Sequence, residues 1–263
     1  EGARLLLVGD PAQLPPIGFG LVFHRLVQSP LVPQVELTEV HRQAAETGIP
    51  AIASSIRSHE VPELGVYRGR RPGVSFIECV PDEMQSQLQL LASDWHGDDF
   101  QILGAIKDGL TGIEAINAQF HQAYDTECLG DYQFRAGEPV IHLVNDYDRG
   151  LMNGTLGRIT SVANYDAPGL HIDFEGVAHF IPVAEVPDRL DLAHAISVHK
   201  AQGSQFRRVA LVVTKSRILD HALIYTGLTR GIEQVVFLGD RDTFDEAVRK
   251  PALAHLREVA FAL

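Results

Sequence analysis

The feature that most constrains this chain is a periodicity that changes once and then changes back. Up to Cys128, short apolar runs of strand length alternate with stretches of helical spacing; from Asp131 to Leu190 only short Val/Ile-rich runs occur, and afterwards the alternation resumes. Strand–helix alternation implies a parallel sheet covered by helices, because each parallel crossover needs a connection about a dozen or more residues long. The interruption implies an antiparallel unit. Its strands are expected at Val140–Leu143, Leu156–Val162, Leu170–Phe174 and Val177–Ile181, divided by the turn signals Asn153-Gly154, Asp166-Ala167-Pro168-Gly169 and Glu175-Gly176. The predicted fold class is therefore α/β: one parallel-sheet domain with a small antiparallel β module inserted in it.

Outside the insertion, strands are expected at Arg4–Val8, Val74–Ile77, Gln101–Ala105, Ala193–Val198, Val209–Val213 and Val235–Leu238. Helices are expected at Phe19–Gln28, Ala44–Ser58, Asp82–Trp95, Leu110–Tyr124, Ile218–Thr229 and from Asp242 to Ala260. In the fourth of these, Ile113, Ile116, Phe120 and Tyr124 fall on one face.

With 45% hydrophobic and 21% charged residues the chain has the make-up of a folded globular protein and not of a disordered or collagen-like one. No apolar run approaches the roughly 20 residues of a membrane helix, and residues 1–8 lack the basic start and cleavage site of an export signal. A cytoplasmic protein with no membrane partner is the expectation. Cys79 and Cys128 sit in neither a CxxC nor a zinc-ligand spacing, so no metal ligands are assigned. The net charge of −12 argues against a general nucleic-acid binder. It is unevenly spread, however. Val74–Ile106 carries Glu78, Asp82, Glu83, Asp94, Asp98 and Asp99 without a base, and Ser197–Arg217 carries Lys200, Arg207, Arg208, Lys215 and Arg217 without an acid.

Four segments could carry chemistry. Gly9-Asp10-Pro11-Ala12-Gln13-Leu14-Pro15-Pro16 is a rigid polar loop after an apolar run. At the carboxyl end of a parallel strand such a loop holds ligands, and the neutral amide of Gln13 can orient a water or touch a phosphate; an ordinary Pro-rich turn reads equally well. In Leu37-Thr38-Glu39-Val40-His41-Arg42-Gln43 the arginine either clamps a phosphate or caps a helix in solvent. Ser197-Val198-His199-Lys200-Ala201-Gln202-Gly203-Ser204-Gln205-Phe206 places hydroxyl, imidazole, ammonium and amide groups on one loop, as a binding loop does, although His199 alone could be structural. Tyr225-Thr226-Gly227-Leu228-Thr229-Arg230-Gly231 ends an apolar helix in an arginine, which could serve a site or simply complete a helix terminus.

In this order, the four segments resemble the motor signatures of superfamily 1 DNA helicases of the RecD type, the exodeoxyribonuclease V alpha-subunit family: motifs III, IV, V and VI in turn. Ile102–Asn117 resembles the family's segment before its insertion, and Asn145–Asp148 through Asn153–Gly157 the start of its SH3-like module. The resemblance covers nearly the whole chain. It implies the end of a first RecA-like domain at 1–35, the first part of a second at 36–130, an SH3-like insertion at 131–190 and the rest of the second at 191–263.

As activity, the resemblance implies ATP- and Mg²⁺-dependent translocation on single-stranded DNA, 5′ to 3′, in recombination and repair. The implied partners are single strands and duplex ends, an N-terminal RecA-like domain and other subunits of a recombination complex. Gln13 would sense the γ-phosphate, Asp10 would help hold the metal and water network, and Arg42 and Arg230 would act as arginine fingers. Gly203 and Gln205 would lie at the nucleotide, and Ser197, His199, Lys200 and Gln202 at the DNA. The chain departs from the family at Gln205, where a Glu that contacts the nucleotide sugar is usual, at His41 for an aromatic, and at Gly227 and Gly231 for Ala. None of Lys107, Lys200, Lys215 and Lys250 follows a Gly, so there is no GxxxxGK[ST] phosphate loop. The expectation is thus the C-terminal portion of a longer helicase, without ATPase activity of its own and with Leu5–Val8 lacking its native sheet. The alternative is a non-hydrolysing DNA-binding or protein-interaction scaffold of a recombination complex. No carboxylate pair stands with a Lys as in a metal-dependent nuclease.

Overall fold

Burial of the Val- and Ile-rich runs builds two sheets. The computed structural model describes residues 4–15, 21–37, 45–126, 128, 134–164 and 167–252. In chain order the elements are α1 (Val22–Gln28), a 3-10 turn (Ala45–Thr47) before α2 (Ile49–Arg57), β1 (Gly65–Val66), β2 (Gly73–Glu78), α3 (Met84–Asp94), β3 (Phe100–Gly104), α4 (Ile113–Gln122), β4 (Pro139–His142), β5 (Leu156–Ala163), β6 (Gly169–Phe174), β7 (Val177–Pro182), α5 (Val186–Arg189), β8 (Leu190–Leu192), β9 (Ala195–Ser197), β10 (Phe206–Val213), α6 (His221–Leu228), β11 (Gly231–Gly239) and α7 (Arg241–Arg249).

The first sheet has six strands in the order β1-β2-β11-β10-β3-β9, all parallel. Its central strands read as unbroken apolar runs because both faces are covered. Leu211, Val213 and Phe237 point to one face, where Ile49 and Ile56 of α2, Leu223 and Leu228 of α6 and Phe244 of α7 pack. Ala210, Val212 and Val236 point to the other, against Met84 and Leu88 of α3, Trp95, and Ile116 of α4. The second sheet is antiparallel, β7-β6-β5-β4-β8, with Val140, Ile159, Ile172, Phe174 and Ile181 as its core. A two-residue turn at Glu175-Gly176 closes β6 on β7, as that dipeptide suggests.

One extended segment belongs to both sheets: β8 pairs with β4, and β9, three residues further on, pairs with β3. Side-chain amides staple the crossing. Asn117 donates to Leu192 O and Ala195 O and accepts from the Ala195 N–H, while Gln101 donates to Ala193 O and His194 O. Beside them lies Glu138, wholly buried. Its Oε1 accepts from His121 Nδ1 (2.8 Å) and His194 Nε2 (3.2 Å), and its Oε2 from the Arg135 N–H (2.7 Å).

Several expectations are corrected. Leu5–Val8 forms no strand; Leu5, Leu6 and Val8 are 83%, 85% and 86% exposed, because no described strand edge pairs with them. The last helix stops at Arg249, since Pro251 forces Lys250 into an extended conformation, and residues 253–263 lie outside the described residues. The strand expected at Ala193–Val198 shortens to β9 (Ala195–Ser197) in the parallel sheet, and β1, α5 and β8 had no distinct sequence signal. The acidic and basic segments are not separate: Arg208 pairs with Asp98 at 2.8 Å, and Arg207 with Asp98 at 3.3 Å and Glu233 at 2.8 Å.

Burial by itself would raise the Glu138 pKa, but the hydrogen bonds from His194, His121 and the Arg135 N–H outweigh it and hold the carboxyl below its usual range. A carboxylate whose folded-state pKa is depressed stabilises the fold above its unfolded value, near 4.3, and loses that contribution as pH falls through the folded value. Glu138→Gln is therefore expected to lower stability at pH 7 by about 1–3 kcal/mol and to flatten the acid limb below about pH 4.3. Denaturant midpoints measured from pH 7 to pH 3 check both.

Candidate functional site

The loop after the exposed N-terminal run is shaped by its own side chains. Asp10 Oδ1 accepts from the Ala12 N–H (2.9 Å) and the Gln13 N–H bonds to Asp10 O (3.2 Å), while Pro11 fixes φ between them. Three contacts bind this loop to the second half of the chain. The Leu14 N–H donates to Thr226 Oγ1 (2.8 Å), Gln202 Nε2 donates to Leu14 O (2.7 Å), and Tyr225 O–H donates to Asp10 Oδ2 (3.0 Å). Burial, and then the negative charge of Asp10, push the Tyr225 phenol up to about 12, so it remains a donor at any working pH.

Arg230 follows the end of α6 and is almost wholly buried. Its Nε donates to Thr226 O (3.1 Å), Nη1 to Ser204 O (3.3 Å), and Nη2 to Thr229 Oγ1 (3.1 Å) and Gln13 Oε1 (3.2 Å). Gln13 Nε2 in turn donates to Asp10 Oδ2 (3.2 Å). A continuous path thus runs Tyr225–Asp10–Gln13–Arg230. It lies where β10 and β11 begin, since Phe206 N–H bonds to Arg230 O (2.9 Å). The expectation of a loop at the carboxyl end of a strand is corrected because the run before it, Leu5–Val8, forms no strand. α6 approaches β10 closely enough that a Cβ on Gly227 would lie 2.7 Å from Leu211 Cδ2, which accounts for the missing Ala; Gly231 is no helix residue but the first of β11. Gly203 has φ +89°, a backbone state that other residues reach only with strain, and its neighbour Gln205 buries Nε2 without a partner among the described residues.

The Ser197–Gln205 loop divides its side chains between two places. Gln202 and the Ser204 carbonyl meet the Arg230 cluster. Ser197 and Lys200 instead line a groove of about 750 Å³ between α4 and the root of the antiparallel sheet, shared with Lys107, Asn117, His121 and Arg135. Ser197 Oγ accepts from the Lys200 N–H (3.2 Å). His199 occupies the turn between Ser197 and Gln202. Arg42 and His41 lie outside the described residues. Of the sites read from sequence, Asp10, Gln13, Gln202 and Arg230 come together, with Gly203 and Gln205 on the adjoining loop and Ser197 and Lys200 apart. Tyr225 and Thr226 stood inside a recognised segment without a role; Lys107, His121 and Arg135 are scattered along the chain and carried no signal. Among the described residues no group of three or more His, Cys, Asp or Glu could hold a metal ion, and no helix is long and apolar enough to cross a membrane.

Residues 1–74 match the AAA domain family and residues 192–238 the UvrD-like helicase C-terminal domain. The chain is 31% identical over 256 residues to the ATP-dependent RecD2 DNA helicase of Deinococcus radiodurans, covering 95% of this chain and 34% of that protein. It is 29% identical over 278 residues to the RecBCD enzyme subunit RecD of Mycobacterium tuberculosis, covering 96% and 47%. The chain spans between a third and a half of the length of these relatives. Among solved structures, Bacteroides Pif1 bound to ssDNA matches with a TM-score of 0.55 at 19% identity, over 97% of this chain and 66% of that one. That likeness establishes the fold as the RecA-like architecture of helicases.

Thr226→Val keeps the volume at a fully buried position but removes the acceptor for the Leu14 N–H. It is expected to destabilise the chain by about 1–3 kcal/mol and to speed hydrogen exchange at the Leu14 amide before that of β10 amides, as measured by exchange-detected NMR.

Proposed function

This chain is homologous to RecD-type DNA helicases over nearly all of its length, and from that premise we propose that it is the C-terminal motor portion of an ATP-dependent helicase that translocates on single-stranded DNA, 5′ to 3′, in recombination and repair. The observation that carries this reading is the meeting of Gln13 with Arg230 across 217 positions of sequence, beside the Ser197–Gln205 loop whose Lys200 lines the groove. In this reading residues 1–35 close a first RecA-like domain, residues 36–130 and 191–263 form the second, and residues 131–190, which hold all of the antiparallel sheet except the end of β8, are the SH3-like unit of such motors.

The donor set suits a nucleoside triphosphate. Arg230 offers a guanidinium fork held in place by neutral oxygens, and Gln205, next to the Ser204 carbonyl that holds it, buries an Nε2 without a partner among the described residues. When bound, ATP supplies a γ-phosphoryl group whose transfer to water releases the free energy for a step. Arg230, with Arg42, stabilises negative charge on that group. Gln13 would meet the γ-phosphate through its Nε2 amide, which here donates to Asp10 Oδ2, and so report occupancy to the loop. Asp10, engaged by Tyr225, Gln13 and the Ala12 N–H, orients Gln13 and would have to release these donors before serving a metal and water network. Among the described residues no group of three or more His, Cys, Asp or Glu is placed to hold the Mg²⁺ that this reading implies. Gln202 links the two functions, since it fastens the Gln13 loop while its neighbour Lys200 faces the groove where Ser197, His199 and Lys200 would meet DNA.

Arg230→Ala in the complete gene product is expected to reduce DNA-stimulated ATP hydrolysis by about 10³-fold or more, while the 263-residue chain alone hydrolyses none. Steady-state phosphate release with and without single-stranded DNA tests both. Unchanged turnover in the variant, or DNA-stimulated turnover by the chain alone, would sink the proposal.

A further inference from the structure

The loop that joins β4 to β5 is fixed far more firmly than a surface connection needs. Asp146 and Leu151 exchange both backbone hydrogen bonds (2.7 and 2.9 Å), and the Gly150 N–H, with φ +71° at that residue, bonds back to Tyr147 O (3.3 Å) to close the tip. Asp146 Oδ1 accepts from the Arg149 N–H (3.1 Å), and Oδ2 from Arg149 Nη1 (3.1 Å) and Arg189 Nη1 (2.6 Å). Glu185 completes the network, taking both Nη groups of Arg149 (2.6 and 3.1 Å) and Nε of Arg189 (2.7 Å). Lower down, Asn145 Oδ1 accepts from the Asn153 N–H (2.9 Å) and Thr155 Oγ1 from the Met152 N–H (3.1 Å). What this scaffold holds out is apolar: Tyr147 is 77% exposed, with Met152 at 43% and Val144 at 36%. An exposed aromatic ring on a pinned loop contributes nothing to the core, and ordering it in advance lowers the cost of binding.

We infer that Tyr147 is a stacking site for a nucleobase of the single strand, set apart from the groove that takes its phosphates. The inference rests on the single-strand reading above and adds to it a contact of different chemistry, at residues that do not line that groove. Charge decides the class of ligand. Both Arg149 and Arg189 are spent on Asp146 and Glu185, and the other charge of the Tyr147–Gly150 tip, Asp148, is negative, so a phosphate finds no cation there. A base offers a π face and asks for none. Size decides against a protein, because three exposed apolar side chains fall far short of the roughly 800 Å² that each partner contributes to a standard interface. Position supplies the link to the strand. Gly154, at the root of the loop, is so near the binding loop that a Cβ there would lie 3.7 Å from Lys200 O. A strand held by its phosphates at Lys200 thus has the Tyr147 loop beside it.

The test is fluorescence anisotropy of a labelled oligothymidylate, and of an oligonucleotide of equal length built from abasic units, with the complete gene product over a range of salt. Tyr147→Ala should weaken oligothymidylate binding about fivefold or more, the lower end of the range for one stacked base, and leave the slope of log K against log salt unchanged. Tyr147→Trp, which keeps a ring, should bind at least as tightly as wild type. The abasic oligonucleotide should bind wild type and Tyr147→Ala alike. Lys200→Ala provides the contrast, since losing a phosphate contact should lower the salt slope by about 0.7 on both oligonucleotides. Substitution at so exposed a position leaves the fold intact, which an unchanged thermal midpoint checks. Wild-type affinity in Tyr147→Ala overturns the inference and leaves the ring to a protein contact; an equal loss on both oligonucleotides also overturns it, with single-strand binding still in place. Absence of binding by wild type at every salt concentration overturns the single-strand reading itself.

Discussion

The arrangement depends most on one short loop whose backbone is held from two sides by side chains. Leu14 gives its N–H to Thr226 and its carbonyl to Gln202, while its side chain enters the core of the parallel sheet. These bonds fix where Gln13 can be. Without them the loop would have only Asp10 and Tyr225 to anchor it, and Arg230 would lose the Gln13 carbonyl that shares its fork. Burial of Arg230 makes this geometry consequential, because a guanidinium removed from water needs every oxygen it is given. The same oxygens keep it aimed, which an anion-stabilising group requires.

A second constraint joins the two sheets. The segment from β8 to β9 passes from one sheet to the other within a few residues, and its backbone polar groups at the crossing are met by Asn117 and Gln101. Those amides are structural, yet they set the groove, since Asn117 lies in its wall and Ser197, at the end of β9, is placed by the same crossing. Four residues beyond the crossing the chain enters the loop that carries Lys200 and Gln202. A displacement of the antiparallel sheet would therefore be transmitted to both the groove and the Arg230 cluster through one continuous backbone. In the proposed function that continuity would be the route between nucleotide and strand, through a loop with Gly203 at φ +89° and polar side chains facing both ways.

Much of this was legible in the sequence, and the reasons differ from element to element. Val209–Val213 and Val235–Leu238 announced central strands because burial on both faces leaves no room for polar alternation. Glu175-Gly176 announced a hairpin through its turn chemistry. Leu5–Val8 looked like the same kind of strand, but an apolar run only becomes one beside a partner edge, and periodicity cannot supply the partner. The Asp10–Leu14 and Tyr225–Arg230 segments were recognisable as motifs, whereas the bonds from Tyr225 and Thr226 back to the loop span more than 200 residues and follow from packing alone. Arg207 and Arg208 looked available for DNA in one dimension; folding places Asp98 and Glu233 against them. His121 and Glu138 had no local signal at all, since each is an ordinary residue until the crossing brings them together.

The central claim, that the Gln13 loop is latched onto α6 and so delivered to Arg230, is tested most directly by a double-mutant cycle between Asp10 and Tyr225. Unfolding free energies would be measured for wild type, Asp10→Ala, Tyr225→Phe and the pair. A latched loop predicts a coupling of about 1.5–3 kcal/mol, the range for a hydrogen bond to a charged group. Additivity to within about 0.5 kcal/mol would show that the two groups do not hold each other and would contradict the account.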